Sequence, residues 1–263
     1  MRYTDFIYTF FSLKEIRGRN YRRDRQERSI QMLPTTQQER KFRHETKHEL
    51  RYAEYLSIRS RLLAVTGRDI HAGRDGTYRV RSLYFDNYRD KALREKIDGV
   101  NEREKFRIRY YNENTDIIHL EKKSKLGGLC NKLSEVIGKT QVEELLKGKT
   151  EALYEGGGLL TELYAKIKNE QLKPRVIVDY LREPYVYAPG NVRITFDRDI
   201  RAGLFPERFF DRDFPTILAD KAETVLMEVK YDEYMPDIIQ MCIQENERQQ
   251  EAFSKYAACR RFG

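Results

Sequence analysis

The chain has 263 residues, 40% hydrophobic and 35% charged, with 18 Tyr and 13 Phe, enough for a real core in one or two domains. Its 50 Lys and Arg against 42 Asp and Glu give a net charge of +8 and a pI near 9.2. That excess favours a polyanionic partner: nucleic acid, nucleotide, polyphosphate or an anionic membrane. No apolar run approaches the ~18–20 residues of a spanning helix. The scattered Cys130, Cys242 and Cys259 form no CxxC pair, which excludes a paired-cysteine zinc site and a disulfide framework and suits a reducing cytoplasm.

Residues 1–41 read as a basic, flexible extension: a short apolar run, Phe6 to Phe11, followed by an Arg-dense stretch without an apolar stripe. The folded part is expected over 42–263. It opens with a short strand feeding a helix to about Leu63, striped by Leu50, Ala53, Leu56 and Leu63 and ended by Gly67. Strands follow at Tyr78 to Asp86, after the turn pair Asp75-Gly76, and at Arg94 to Ile97, closed by Asp98-Gly99.

Lys105 to Tyr111 (KFRIRYY) alternates strictly. Lys105, Arg107, Arg109 and Tyr111 share one face of a strand; Phe106, Ile108 and Tyr110 share the other. In Ile117 to Lys125, His119, Glu121, Lys123 and Lys125 oppose Ile118 and Leu120, and Gly127-Gly128 turns the chain into Cys130 to Val136, which carries Lys132. Helices are expected at Thr140 to Lys149, with Thr140 and Glu143 as a capping box, and at Leu159 to Asn169. Strands resume at Arg175 to Arg182, Asn191 to Asp197 and Thr224 to Tyr231. The last two repeat the charged face with Arg193, Thr195 and Asp197, then with Glu228 and Lys230. A helical region runs from Pro236 to about Arg260, broken near Glu245 to Arg248.

The fold class is therefore α+β, with mostly antiparallel strands and inserted helices. Two architectures fit: a closed barrel with a polar interior and helices outside, or an open sheet with one wet face. Taken as one lining, Lys105, Arg107, Arg109, Lys123, Lys132, Arg193 and Lys230 outnumber Glu121 and Glu228. Arg offers phosphate a planar fork and Lys a compact charge. The few carboxylates suit a hard divalent cation bridging phosphates. No P-loop sequence or kinase-type glycine loop is present. For any single strand taken alone, a solvated face explains the charges better. His119 is assigned no role, and Lys255 taken alone is a surface residue.

These residues also carry a resemblance. RHETK from Arg43, SLYFDN from Ser82, FRIRYY from Phe106, LEKK from Leu120, RITFD from Arg193, LMEVKY from Leu226 and FSKY from Phe253 occur in an order and spacing that is quite specific. Over Phe42 to Tyr256 the chain resembles the catalytic domain of vacuolar transporter chaperone (VTC) polyphosphate polymerases in its bacterial form, within the triphosphate tunnel metalloenzyme superfamily. The resemblance implies an antiparallel β-barrel tunnel with helices packed outside and a C-terminal helix at its mouth. It implies transfer of the γ-phosphate of ATP to inorganic polyphosphate with Mn2+ or Mg2+.

Residue by residue, Arg43 and Lys47 match the opening basic pair, Arg107 and Arg109 the paired tunnel arginines, and Lys123 and Lys132 the lysines of the adjacent hairpin. Arg193 matches the arginine of the RxTxD strand and Arg201 a second one. Glu228 matches the metal-binding glutamate with Lys230 beside it, and Lys255 a lysine on the C-terminal helix. Glu45 and Glu121 are further candidates for holding metal or orienting water. Of the hydrolases' ExExK motif only Glu45 and Lys47 are present, with Arg43 at the first position. The alternatives are a metal-dependent tripolyphosphatase or nucleoside triphosphatase in the same tunnel, and a non-catalytic polyphosphate binder. No sequence-specific nucleic-acid partner is expected. Localisation is expected to be cytoplasmic. The phosphate-sensing and membrane-spanning parts fused to the eukaryotic polymerases have no counterpart here, so coupling to translocation would need a separate membrane-protein partner.

Overall fold

A computed structural model describes residues 43–69, 72–127, 129–220, 224–244 and 253–263. The expected 1–41 extension lies outside them, as do Gly128 and the expected break near Glu245 to Arg248. The strands are β1 (His44–Arg51), β2 (Gly67–Arg68), β3 (Tyr78–Asp86), β4 (Arg103–Tyr111), β5 (Asn114–Leu126), β6 (Leu129–Ile137), β7 (Lys173–Tyr187), β8 (Val192–Gly203), β9 (Ile217–Leu218) and β10 (Thr224–Tyr231). The helices are α1 (Tyr52–Val65), α2 (Lys91–Ile97), α3 (Lys139–Leu146), α4 (Glu151–Tyr154), α5 (Gly158–Glu170), α6 (Asp237–Ile243) and α7 (Lys255–Cys259). None of these helices is long and apolar enough to cross a membrane.

The strands form one antiparallel sheet in the order β1-β10-β8-β7-β3-β4-β5-β6, with β2 on β7 and β9 on β8. The path has two ends, β1 and β6, so the backbone ladder does not close among the described residues. The sheet nevertheless curls on itself. Lys123 of β5 reaches Glu45 of β1 at 3.1 Å, and Arg193 of β8 reaches the Tyr78 hydroxyl of β3 at 3.1 Å. β8 and β3 both flank β7, but β1 and β5 have five strands between them in the order and can meet only if the charged faces turn inward. Register shifts in the β3/β7, β4/β5 and β7/β8 pairs add the bends that curling requires. The barrel expected from the resemblance is thus a curled sheet whose last gap is spanned by side chains.

The outer face is apolar and helix-covered. Leu83, Phe106, Ile108 and Leu120 pack under Val142 of α3, Leu153 of α4 and Leu160 and Leu163 of α5. Ile194, Phe196, Met227 and Val229 pack against Tyr55, Ile58 and Leu62 of α1 and Ile239 of α6. The stripe expected on α1 is one position out: Tyr55, Ile58 and Leu62 are buried, whereas Leu56 and Leu63 are 46% and 40% exposed. A third cluster lies on the inner face. There Tyr84, Val176, Val178 and Ala202 meet Tyr256 and Cys259 of α7, so the C-terminal helix packs on the charged side of the sheet.

Two local expectations fail. Arg94 to Ile97 belongs to the helix α2, not a strand, because Asp86 and Asn87 accept the backbone N–H groups of Lys91, Ala92 and Leu93 and fix its first turn. The third helix is capped by Gly138, whose N–H donates to Gln141 at 2.9 Å, rather than by Thr140 with Glu143.

Candidate functional site in the curled sheet

Strand alternation delivers the inner cations. On β4, Arg107 Nε donates to Glu121 at 2.6 Å and Arg107 Nη1 to the Tyr84 hydroxyl at 2.8 Å. One step on, Arg109 Nε donates to Ser82 at 2.8 Å and Nη2 to the Tyr180 hydroxyl at 3.3 Å, with Glu121 3.8 Å away. Lys132 meets the other Glu121 oxygen at 2.5 Å. Burial alone would raise the Glu121 carboxyl; Arg107, Arg109 and Lys132 overcome it and hold the group well below the ordinary carboxylate range.

The second group stands on β1 and β10. In register, Glu45 faces Lys230 and Lys47 faces Glu228. Glu228 is buried, pairs with Lys230 and lies 3.9 Å from Lys47. Burial pushes its carboxyl up, but Lys230, Lys47, Lys255 and Arg182 hold it well below its usual value. Glu45 lies 3.0 Å from Lys47, 3.1 Å from Lys123 and 3.6 Å from Lys230. Against burial and the nearby Glu228, those lysines pull it down to about 2.

Tyr180 links the two groups. Its hydroxyl touches Arg109, while Lys255 lies over its ring at 4.9 Å and Arg182 at 5.3 Å. Lys255 and Arg182 in turn grip the fully buried Asp197, at 2.5 Å and through a two-pronged contact at 2.6 and 2.8 Å. Arg193 lies to one side, bonded to Asp69 at 2.8 Å as well as to Tyr78.

The structure thus brings together Lys47, Arg107, Arg109, Lys123, Lys132, Lys230, Lys255, Glu45, Glu121 and Glu228. It does not bring Arg43 or Arg201 among them. Arg43 is held outside β1 by Asp232, at 2.8 Å, and by the Asn191 carbonyl. Arg201 bonds Thr216 at 2.7 Å and Asp199 at 3.1 Å, on the face opposite the cluster. The cause is a bulge at Asp199, whose φ is 53°, which puts Ile200 and Ala202 on the inner face instead.

Arg182, Tyr180 and Tyr84 are inner residues to which the sequence reading assigned no role. The signal was present: alternation from Val176 places Val178, Tyr180 and Arg182 on one face. Asp69 carried no such signal, because it follows β2 in a loop. Lys105 lies over the Tyr84 ring at 5.6 Å. Burial, reinforced by Lys123, Arg107 and Lys47, lowers its ammonium to about 8. Tyr84 goes the other way from most buried phenols. Burial raises it, but Arg107, Lys105 and Arg109 outweigh that and bring it to about 7.

Among the described residues no three His, Cys, Asp or Glu side chains form a metal cage. The donor set still fits Mg2+ or Mn2+, which commonly take one or two carboxylates and complete their shell with substrate phosphates and water. Glu45 and Glu228 are two ionised carboxylates flanking the same lysines.

Comparison with known proteins bears on identity. Among solved structures the chain is similar to a candidate adenylate cyclase from Bacillus halodurans, at 15% identity and TM-score 0.44, covering 73% of this chain and 81% of that one. It is also similar to a conserved hypothetical protein from Pyrococcus furiosus, at 11% and 0.38, covering 76% and 85%. A Pyrococcus horikoshii OT3 protein matches at 10% and 0.36, again covering 76% and 85%. No curated protein sequence matches the chain. The family model of the VTC domain matches residues 42–262, so the chain belongs to the VTC domain family.

Proposed function

We propose that the protein is a polyphosphate polymerase that moves the γ-phosphate of ATP onto a growing inorganic polyphosphate chain. The observation that carries this reading is the enclosure of Arg107, Arg109, Arg182, Lys47, Lys230 and Lys255 with Glu228 on one inner face. Cations outnumber carboxylates there, which suits a run of phosphates better than a self-neutralised ion network.

In this reading Arg107, Arg109 and Arg182 with Lys47 hold the triphosphate, and Arg193 stands to one side on Asp69. Glu121 and Asp197 fix the angles of Arg107 and Arg182, so the forks are set before the ligand arrives. Lys123 and Lys132 guide the acceptor chain, while Lys255 is held on Asp197. Glu228 and Glu45 would hold Mn2+ or Mg2+, which would supply positive charge to phosphate oxygens. A terminal oxygen of the acceptor chain forms the new bond to the γ-phosphorus as the bond to the β-phosphate oxygen breaks, and ADP leaves. The inner arginines and lysines stabilise the charge on the transferred group, and no protein nucleophile takes part.

One observation favours a second reading. Glu45, the surviving acid of the hydrolase motif, lies inside the cluster 3.0 Å from Lys47. There it could orient water in place of the chain end, giving a triphosphatase. Incubation with ATP and Mn2+ separates the two: long acid-labile chains support the polymerase, and free phosphate alone supports the hydrolase.

A further inference from the structure

The register of β4, β5 and β6 places like charges directly opposite one another. Lys105 faces Lys123, and Lys123 faces Lys132, a row of lysines crossing three neighbouring strands. One row further out on the same face, Arg103 faces Lys125. Such pairs repel across a sheet, and here they are only partly relieved. Lys123 and Lys132 reach Glu45 and Glu121. Among the described residues, Lys105, Arg103 and Lys125 have no carboxylate within ion-pair distance, and neither does Lys96 of α2. Lys96 belongs to the same patch. It is half-buried, and its ammonium is lowered by burial and then by Arg103, Lys47 and Lys125, the charges that surround it. Arg103 and Lys125 are half-buried and opposite one another, Arg103 donates to the Val100 carbonyl, and α2, which carries Lys96, packs against β4.

We propose that Lys96, Arg103 and Lys125 form an outer track for a linear phosphate polymer, continuing the Lys105–Lys123–Lys132 row out of the curled sheet. The inference rests on reading the inner face as a phosphate-chain site. It adds a polarity: the chain leaves between α2 and the β4–β5–β6 edge, not past α7, where Tyr256 stacks on Tyr84 at 5.1 Å and Lys255 is spent on Asp197. A triphosphate is satisfied by the inner arginines, whereas a long chain overhangs them and needs further cations. Lys96, Arg103 and Lys125 have no ring contact among the described residues, which suits inorganic polyphosphate better than single-stranded nucleic acid, which calls for stacking surfaces.

The test is equilibrium binding of the full chain, without ATP or metal, to tripolyphosphate and to polyphosphate of about 60 phosphates. The triple variant Lys96→Gln, Arg103→Gln, Lys125→Gln is compared with wild type and with Lys139→Gln, Lys147→Gln, Lys149→Gln, a charge-matched control on and beside α3. The expected result is a loss of about tenfold or more in long-chain affinity for the first triple, with a shallower salt dependence. Tripolyphosphate affinity should stay within about twofold, and the control triple should match wild type. Equal loss for both ligands, no loss for either, the same loss in the control, or a larger loss for single-stranded RNA than for polyphosphate would overturn the proposal. Because the readout is binding, a protein that makes no polymer but shows this long-chain selectivity would refute the polymerase reading and keep the track.

Discussion

Lys123 and Glu45 meet at 3.1 Å, joining β5 to β1 across a gap that no backbone ladder spans among the described residues. Glu45 also holds Lys47 and Lys230, so one carboxylate gathers cations from both sides of the seam. Acid should therefore open it. Glu45, Glu228, Glu121 and Asp197 all have folded values below their unfolded ones, so their stabilisation is complete above about pH 4.5. It is lost as pH falls through that window toward the folded value of about 2 for Glu45. Thermal midpoints should drop steeply from pH 4.5 to pH 2, and less steeply in Glu45→Gln. A wild-type midpoint flat across that range would contradict the account.

Glu228→Gln should abolish metal-dependent turnover while leaving polyphosphate binding within about threefold, since the surrounding cations remain. Kinetics with Mn2+ alongside binding by calorimetry would check this. Loss of both together would assign Glu228 to chain binding instead.

Tyr84 should ionise near neutrality. Its phenol is driven up by burial and brought back to about 7 by Arg107, Lys105 and Arg109. An ultraviolet titration of the ligand-free protein should show one tyrosinate forming near pH 7 and absent in Tyr84→Phe. Tripolyphosphate neutralises those cations, so it should move the transition up by a unit or more. A spectrum silent below pH 9 would show that the guanidinium groups do not face the phenol as described.

Asp197 neutralises Arg182 and Lys255 together in a fully buried position. Asp197→Asn leaves the largely buried Arg182 and Lys255 without their shared partner and should cost about 3 kcal/mol in denaturant unfolding. Excess tripolyphosphate should restore part of that loss by supplying the missing negative charge. No rescue would place Arg182 away from the ligand.

Much of this was legible in the residues. The bounds of β10 match the expected Thr224 to Tyr231, and the alternation of KFRIRYY gives the inner face of β4 directly. What escaped was decided by tertiary contacts. The exception is local: Arg94 to Ile97 became helix because Asp86, at the end of β3, accepts the N–H groups of Ala92 and Leu93 six and seven residues on and caps α2. Arg201 left the inner face because one extra residue at Asp199 inverts the parity that Arg193, Thr195 and Asp197 establish. The role of Asp69 depends on a loop position that no periodicity encodes. Arg182 and Tyr180 were legible but unread, because their strand shows little charge elsewhere on that face.

The central claim is that these inner cations and Glu228 act on one phosphate chain. Its most direct test is transfer from γ-labelled ATP onto added polyphosphate with Mn2+, resolved by chain length, for wild type and Glu228→Gln. The account predicts label in lengthening acid-labile chains with wild type and none with the variant. Label released only as free phosphate, or chains that lengthen equally with Glu228→Gln, would contradict it.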